Sequence, residues 1–273
     1  MKPRESVVAE ALDLEALELA LVGTIFQGKL QYLPETGSTN TVAMEAASRG
    51  AVEGTVFIAD QQTQGRGRGG HIWHSEPHSS LLFSFIIRPK IQAADALWLS
   101  LMAGVAVSDA VQHHTGLRPD LRWPNDLLMN TKKFCGILTE LSTDGPAVRH
   151  AVIGIGVNVN QAAFPQDLAS VGTSLRIESA KQWCRTELLA TLLKALHTEY
   201  NSLIAELAQS GTPNALLMRL KTASSYVEGK RVHVGEAGGY EGITAGLDER
   251  GFLLVRTARG TCKVISGGVR ALE

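Results

Sequence analysis

Cysteine is scarce, with three in 273 residues: Cys135, Cys184 and Cys262. They are too few and too scattered for a disulfide framework or a structural zinc site, and read as small buried residues of a reducing, cytoplasmic compartment. Net charge is almost absent too. Lys and Arg number 26 against 27 Asp and Glu, a formal charge of −1, which excludes a generally basic nucleic-acid binder while leaving room for a local anion site. Long apolar runs are missing. The chain opens with Lys2, Arg4 and Glu5, and its first apolar stretch is broken by Glu10, Asp13, Glu15 and Glu18, so no signal peptide is read. The most apolar run, Ala96 to Val107, closes at Asp109 and reads as too short to cross a bilayer. The expectation is a soluble protein with no membrane partner.

Familiar chemical motifs are absent as well. The eight histidines, His113-His114 among them, lack the i, i+4 spacing with a glutamate that zinc sites use, and no metal ligands are assigned. There is no Gly-x-Ser-x-Gly elbow, and no base lies near a cysteine in sequence, so covalent nucleophilic catalysis is unsupported. No internal repeat or low-complexity tract is present.

What is there can fold: 44% of residues are hydrophobic and 19% charged. The patterning predicts a helix over residues 14–27 and a strand at 29–33. Ser38-Thr39-Asn40 supplies N-cap chemistry for a helix to Arg49, ended by Gly50. Strands follow at 55–60 and 81–87, the second apolar on both faces and hence central. A buried helix spans about 95–115, capped by Gly116. Strands at 120–123, 133–142 and 148–160 come next, the last two joined by an Asp144-Gly145 hairpin. An amphipathic helix covers 181–208, and Thr212-Pro213 opens another. From Val227 short alternating strands are punctuated by Gly235, Gly238-Gly239, Gly251, Gly260 and Gly267-Gly268. The fold class is therefore α+β, a mixed, mostly antiparallel sheet packed with helices over residues 1–222, with a small β domain at 223–273.

Three segments carry chemistry. Gln62 to Gly70 holds four glycines and two arginines, Arg66 and Arg68, within six residues, and no acidic side chain lies between Asp60 and Glu76. Glycines let successive N–H groups converge on an anion and arginines add planar charged forks; the same stretch also reads as a flexible surface hairpin with solvated arginines. It is neither a P-loop nor a Rossmann fingerprint. Arg122-Trp123-Pro124-Asn125-Asp126 places an amide and a carboxylate on a proline-led turn, either facing a ligand or capping the turn itself, with Lys133 and Gly136 beyond. In Val152 to Asn160, strict alternation puts Ile153, Ile155, Val157 and Val159 on one face and Gly154, Gly156, Asn158 and Asn160 on the other. The stripped face fits close approach by a ligand or by another backbone. Trp73 stacks on a ring or fills the core. Lys133 and Gly136 have opposite parity in a regular strand, so one site uses both only through Gly136 backbone or across a bulge.

In order, spacing and identity these segments resemble the biotin protein ligases over roughly residues 30–270. The resemblance implies a class II synthetase-like catalytic domain with a small SH3-like barrel. It implies that biotin and ATP react, with Mg2+, to biotinoyl-5′-AMP, and that a lysine of a biotin carboxyl carrier protein of acetyl-CoA carboxylase then takes the biotin. By the same resemblance, Ser38, Thr39, Asn40 and Gln62 hold the biotin ring, and Arg66, Gly67 and Arg68 close over biotin and adenylate. Lys133 meets the carboxylate and then the acyl phosphate. Trp73, Asn125 and Asn158, with Arg68, serve the nucleotide, and Asp126, Gly136, Gly154 and Gly156 organise the site. Where the family loop carries a third basic residue, this chain has Gly69. Only 37 residues precede Ser38, too few for the family's DNA-binding domain, so a short form that does not bind DNA is expected. A homodimer through a sheet edge follows from the family. The rival readings are a lipoate or octanoate ligase of the same fold, a non-catalytic adenylate sensor, and a generic anion-binding module.

Overall fold

The computed structural model describes residues 11–236, 238–265 and 268–272; the charged start of the chain and the turn glycine Gly267 lie outside them. In chain order the elements are α1 (Leu14–Ala20), β1 (Leu30–Thr36), α2 (Thr39–Ser48), β2 (Val56–Gln62), β3 (Ser80–Ile87), α3 (Leu97–Thr115), β4 (Asp120–Arg122), β5 (Asp126–Met129), β6 (Lys132–Asp144), β7 (Ala147–Asn158), α4 (Leu175–Ser179), α5 (Arg185–Ser210), α6 (Asn214–Ala223), β8 (Glu228–Val234), β9 (Tyr240–Leu247), β10 (Leu253–Thr257), β11 (Gly260–Val264) and β12 (Val269–Ala271). Seven strands form one sheet in the order β1-β2-β3-β7-β6-β5-β4, and five form a second in the order β11-β10-β9-β8-β12. Among the described strands only β1 and β2 run parallel; the other strand pairings are antiparallel. This is the α+β arrangement expected from the hairpin signals.

Strand β3 is buried along its whole length because both faces of the sheet are covered there. Leu81, Phe83, Phe85 and Ile87 face the main core with α1, α3 and α5. On the other face Ile86, Phe57 and Val152 pack on Ala43 and Ala47 of α2. Helix α2 is only ten residues long, so it covers part of that face, and the glycine-rich stretch of β7 lies beside it.

Several boundaries differ from expectation. The first helix stops at Ala20 rather than reaching residue 27: Thr24 Oγ1 bonds the Leu21 carbonyl and Gly23 turns left-handed. Strand β5 was not anticipated; it lies between the Trp123–Pro124 turn, whose peptide bond is cis, and a turn at Asn130-Thr131. The long amphipathic helix begins at Arg185 rather than 181, after α4 and a left-handed Ala180. Pro213 occupies the cap of α6 instead of its first turn. The apolar run at 96–107 is a correction of another kind. It continues to Thr115, and an 18-residue window within Ala93–Thr115 has a mean hydropathy of 1.4, so the helix is long and apolar enough to cross a membrane by length and composition. Asp109 does not interrupt it because it lies on the exposed side of the helix. Its surroundings are protein: 78% of that window is buried, and the residues join the main core.

The two sheets share that core, which includes Val232, Val234, Leu253 and Val255 of the second sheet. Trp123 Nε1 donates to the Gly251 carbonyl at 2.9 Å.

Candidate functional site

Cross-strand register explains the site. Gly156 of β7 pairs with Leu82 on one side and with Gly136 of β6 on the other, and Gly136 pairs with Asp126 of β5. The next row is Ser84, Gly154 and Leu138. Residues in register point to the same face, so glycines pave a floor bordered by a carboxylate, a hydroxyl and apolar side chains. Between Leu127 and Leu128 the β5–β6 register slips, with Leu127 opposite Cys135 and Leu128 opposite Lys133. That leaves Phe134 as an extra residue, a β-bulge, and it puts Lys133 on the face of Gly136 despite their opposite parity. A Cβ on Gly136 would stand 2.9 Å from Lys133 Nζ.

One wall is the start of α2. Ser38, at the cap position, makes no capping bond with its side chain. Gln62 does that work from β2, its Oε1 accepting from Thr39 N at 2.7 Å and Thr39 Oγ1 at 3.0 Å. Asn40 Nδ2 donates to the Leu138 carbonyl and to Glu140 Oε2, while Ser84 Oγ lies 2.6 Å from Asn40 Oδ1 and 2.7 Å from Thr39 Oγ1. Gly154 is what admits Asn40: a Cβ there would meet Asn40 Oδ1 at 1.8 Å.

The roof is the loop after β2. Gly67 N donates to the His71 carbonyl and Trp73 N to the Gly65 carbonyl, so residues 65–73 fold as a small hairpin. Its tip, Gly69-Gly70, is left-handed at φ 69° and 80°; a basic residue at position 69 would be strained in this conformation. Arg66 reaches Glu140 Oε2 at 2.9 Å. The Trp73 indole covers the glycine floor, 2.6 Å from where a Cβ on Gly156 would be, with Lys133 Nζ 5.4 Å from the ring centroid. A small cavity of about 40 Å³ remains, lined by Ser38, Thr39, Asn40, Arg66, Arg68, Asn125 and Lys133 among others.

Residues 32–158 match the Biotin/lipoate A/B protein ligase family. The chain is 35% identical over 245 residues to the bifunctional ligase/repressor BirA of Bacillus spizizenii, covering 88% of this chain and 73% of that protein. It is 34% identical to the biotin–[acetyl-CoA-carboxylase] ligase of Mycobacterium tuberculosis, with 88% of each chain covered. The chain belongs to the biotin/lipoate protein ligase family. The biotin protein ligase of Aquifex aeolicus in complex with biotin and ATP superposes at a TM-score of 0.75 and 29% identity, covering 90% of this chain and 99% of that one.

Within this family member's site the charges are pre-paired. Asp126 accepts from Lys133 Nζ at 2.5 Å and from Arg122 Nη2 at 2.6 Å. Burial raises its pKa, but Lys133 and Arg122 outweigh burial and hold the carboxyl below its ordinary range. At Arg68 burial prevails: it lowers the pKa, partly opposed by Asp126 and Glu236.

Fourteen of the fifteen residues singled out from the sequence border this cavity or its immediate partners; Asn158 does not. It is buried, its Nδ2 donates to the Thr173 carbonyl, and its Oδ1 accepts from Gln161 Nε2. It holds the 159–173 connection. Two residues were missed, Glu140 and Ser84. Glu140 shares the parity of Gly136 and Leu138 in β6, and Ser84 is the one hydroxyl in the apolar run 81–87; both signals were legible.

Proposed function

We propose that this chain is a biotin protein ligase, activating biotin with ATP to biotinoyl-5′-AMP and passing biotin to a lysine of the biotin carboxyl carrier protein of acetyl-CoA carboxylase. The carrying observation is the convergence of a polar wall (Ser38, Thr39, Asn40), a glycine floor and three cations (Arg66, Arg68, Lys133) on one cavity. A ureido ring needs fixed donors and acceptors, and the polar wall supplies them; a fatty chain needs mainly apolar surface.

In the first step a carboxylate oxygen of biotin attacks the α-phosphorus of ATP and the bond to pyrophosphate breaks. Both reactants are anions, so the barrier falls when cations neutralise them and hold them in line. Lys133 takes that role, delivered by the β6 bulge and oriented by Asp126, with Arg66 and Arg68 closing from the loop. In the second step the carrier lysine ε-amine attacks the acyl carbon, AMP leaves and the amine loses its proton. Trp73 Nε1 is buried without a hydrogen-bond partner, a cost of about 1–3 kcal/mol that a ligand acceptor removes. Magnesium enters with the nucleotide as part of the substrate. Among the described residues no cluster of three or more His, Cys, Asp or Glu would hold it, and Asp126 is committed to Lys133 and Arg122. Asn125 and Asn158 serve the nucleotide side, Asn158 indirectly. The reading extends to a catalytic part over 1–222, an SH3-like part over 223–273, a cytoplasmic location, and a homodimer with neither DNA nor membrane as partner.

The test is ATP–pyrophosphate exchange with magnesium, comparing biotin, lipoate and octanoate. Exchange with biotin alone supports the reading. Exchange only with lipoate or octanoate would keep the fold and mechanism and overturn the substrate.

A further inference from the structure

The loop that roofs the cavity leaves the sheet at Gln62 and rejoins it at Ser80. Its first strand of connection is secured by backbone bonds, Thr63 N to the Thr36 carbonyl and Gln64 N to the Gly37 carbonyl. The returning end has a backbone bond too, Asn160 N to the Ser79 carbonyl at 2.7 Å, and one side-chain contact beside it. His78, two residues before β3, has a left-handed backbone at φ 58°, a conformation uncommon outside glycine, to which asparagine, aspartate and histidine are the usual exceptions. Its ring reaches back across the base of the loop, Nδ1 lying 3.0 Å from Asp60 Oδ2 on β2.

Asp60 is a fixed anchor. Its side chain is 2% exposed, and it accepts from Tyr32 OH at 2.5 Å and from Arg185 Nη1 at 2.8 Å, tying β1, β2 and α5 together. The His78 side chain, by contrast, is 47% exposed. Removing it leaves Asp60 with two partners, so the core does not depend on His78. What His78 adds to the Ser79 backbone bond is a tie one residue nearer the loop tip.

We propose that His78 is a positioning residue: by clasping Asp60 it pins the returning end of the Arg66–Arg68–Trp73 loop, and so sets how tightly that loop stays closed over the site. The loop itself exists without reference to any ligand, but its value for retaining an acyl-adenylate rests on the biotin ligase reading.

Two substitutions separate contact from backbone. His78→Gly removes the donor and relieves the left-handed backbone. His78→Asn tolerates that backbone and keeps an N–H donor, because asparagine Nδ2 sits as many bonds from Cβ as histidine Nδ1. Limited trypsin digestion of the full chain, followed by mass spectrometry of cleavage after Arg66 and Arg68, reads loop opening without any ligand. His78→Gly should be cut there about fivefold faster than the natural chain, the factor expected for a contact of about 1 kcal/mol. His78→Asn should stay near the natural rate, and neither variant should lower the melting temperature by more than about 2–4 °C. Unchanged cleavage in His78→Gly, equal acceleration in His78→Asn, or acceleration spread over sites outside the loop would each overturn the proposal. Repeating the digestion with biotin, ATP and magnesium keeps the two readings apart. Loss of protection in the natural chain counts against biotin ligase function, whereas protection that weakens in His78→Gly and returns in His78→Asn supports the clasp.

Discussion

Replacing Lys133 by alanine separates chemistry from stability. The Lys133 side chain is 31% exposed and its Nζ has two partners, Asp126 Oδ1 at 2.5 Å and the Trp73 ring at 5.4 Å. A partly exposed ion pair contributes up to about 1 kcal/mol, and a cation over an indole about 0.5 kcal/mol at such a site. Asp126 is not stranded, because Arg122 stays 2.6 Å from its other oxygen. The variant should therefore fold and lose about 1.5 kcal/mol, a drop of about 3–6 °C in melting temperature for a chain of this size. Its adenylation rate should fall about 10²–10³-fold, the usual consequence of deleting one group aimed at developing charge.

The acid limb adds a sign. Burial, Lys133 and Arg122 together leave Asp126 with a folded pKa below the ordinary aspartate value of 3.8. The unfolded chain then binds more protons, so this stabilisation is complete above the ordinary value and is lost as pH falls through the folded one. Lys133→Ala raises the folded pKa, and its melting temperature should be less sensitive to acid across that window. Pyrophosphate exchange and melts at about pH 7 and about pH 3 check both halves. An exchange rate within about threefold of the natural chain, well short of the loss such groups cause, would remove Lys133 from the mechanism. Loss of the fold would show that the residue is structural.

Other perturbations have equally definite outcomes. Gly154→Ala drives a methyl into Asn40 Oδ1, whose side chain is locked by Leu138, Glu140 and Ser84. It should cost about 1–3 kcal/mol and abolish biotin binding by calorimetry; normal binding would mean that Asn40 is not part of the ring site. Thr131→Gly should stabilise by about 1 kcal/mol, since a β-branched residue at φ 105° is strained; a urea midpoint that does not rise contradicts it. Asp60→Asn takes from the buried Arg185, which also donates to the Ser80 carbonyl, the carboxylate at 2.8 Å and should destabilise by about 3 kcal/mol at neutral pH. Chemical denaturation measures this, and a change under about 1 kcal/mol would mean that Arg185 is satisfied elsewhere.

The residues of the site were legible in the sequence because chemistry restricts what stands there. Glycines at alternate positions of a strand, arginines spaced by glycine, and a lysine downstream of Trp-Pro-Asn-Asp are patterns that packing alone does not call for. The central strand at 81–87 and the left-handed stop at Gly116 were legible for the same reason: local periodicity and backbone sterics decide them. Glu140 and Ser84 escaped notice although their parity was readable, since each looked like an ordinary strand residue.

What the sequence determined by itself was the set of groups and their order along the chain, together with the α+β class, because these depend on side-chain chemistry and short-range periodicity. The tertiary structure alone decided which groups meet. A one-residue bulge at Phe134 turns Lys133 toward Gly136, and cross-strand register lines up Asp126, Gly136 and Gly156. The glycine face admits the protein's own Asn40 and Trp73, and Asn158 is drawn away to Thr173. Register, bulges and long-range hydrogen bonds join residues more than a hundred positions apart, and no local signal carries them.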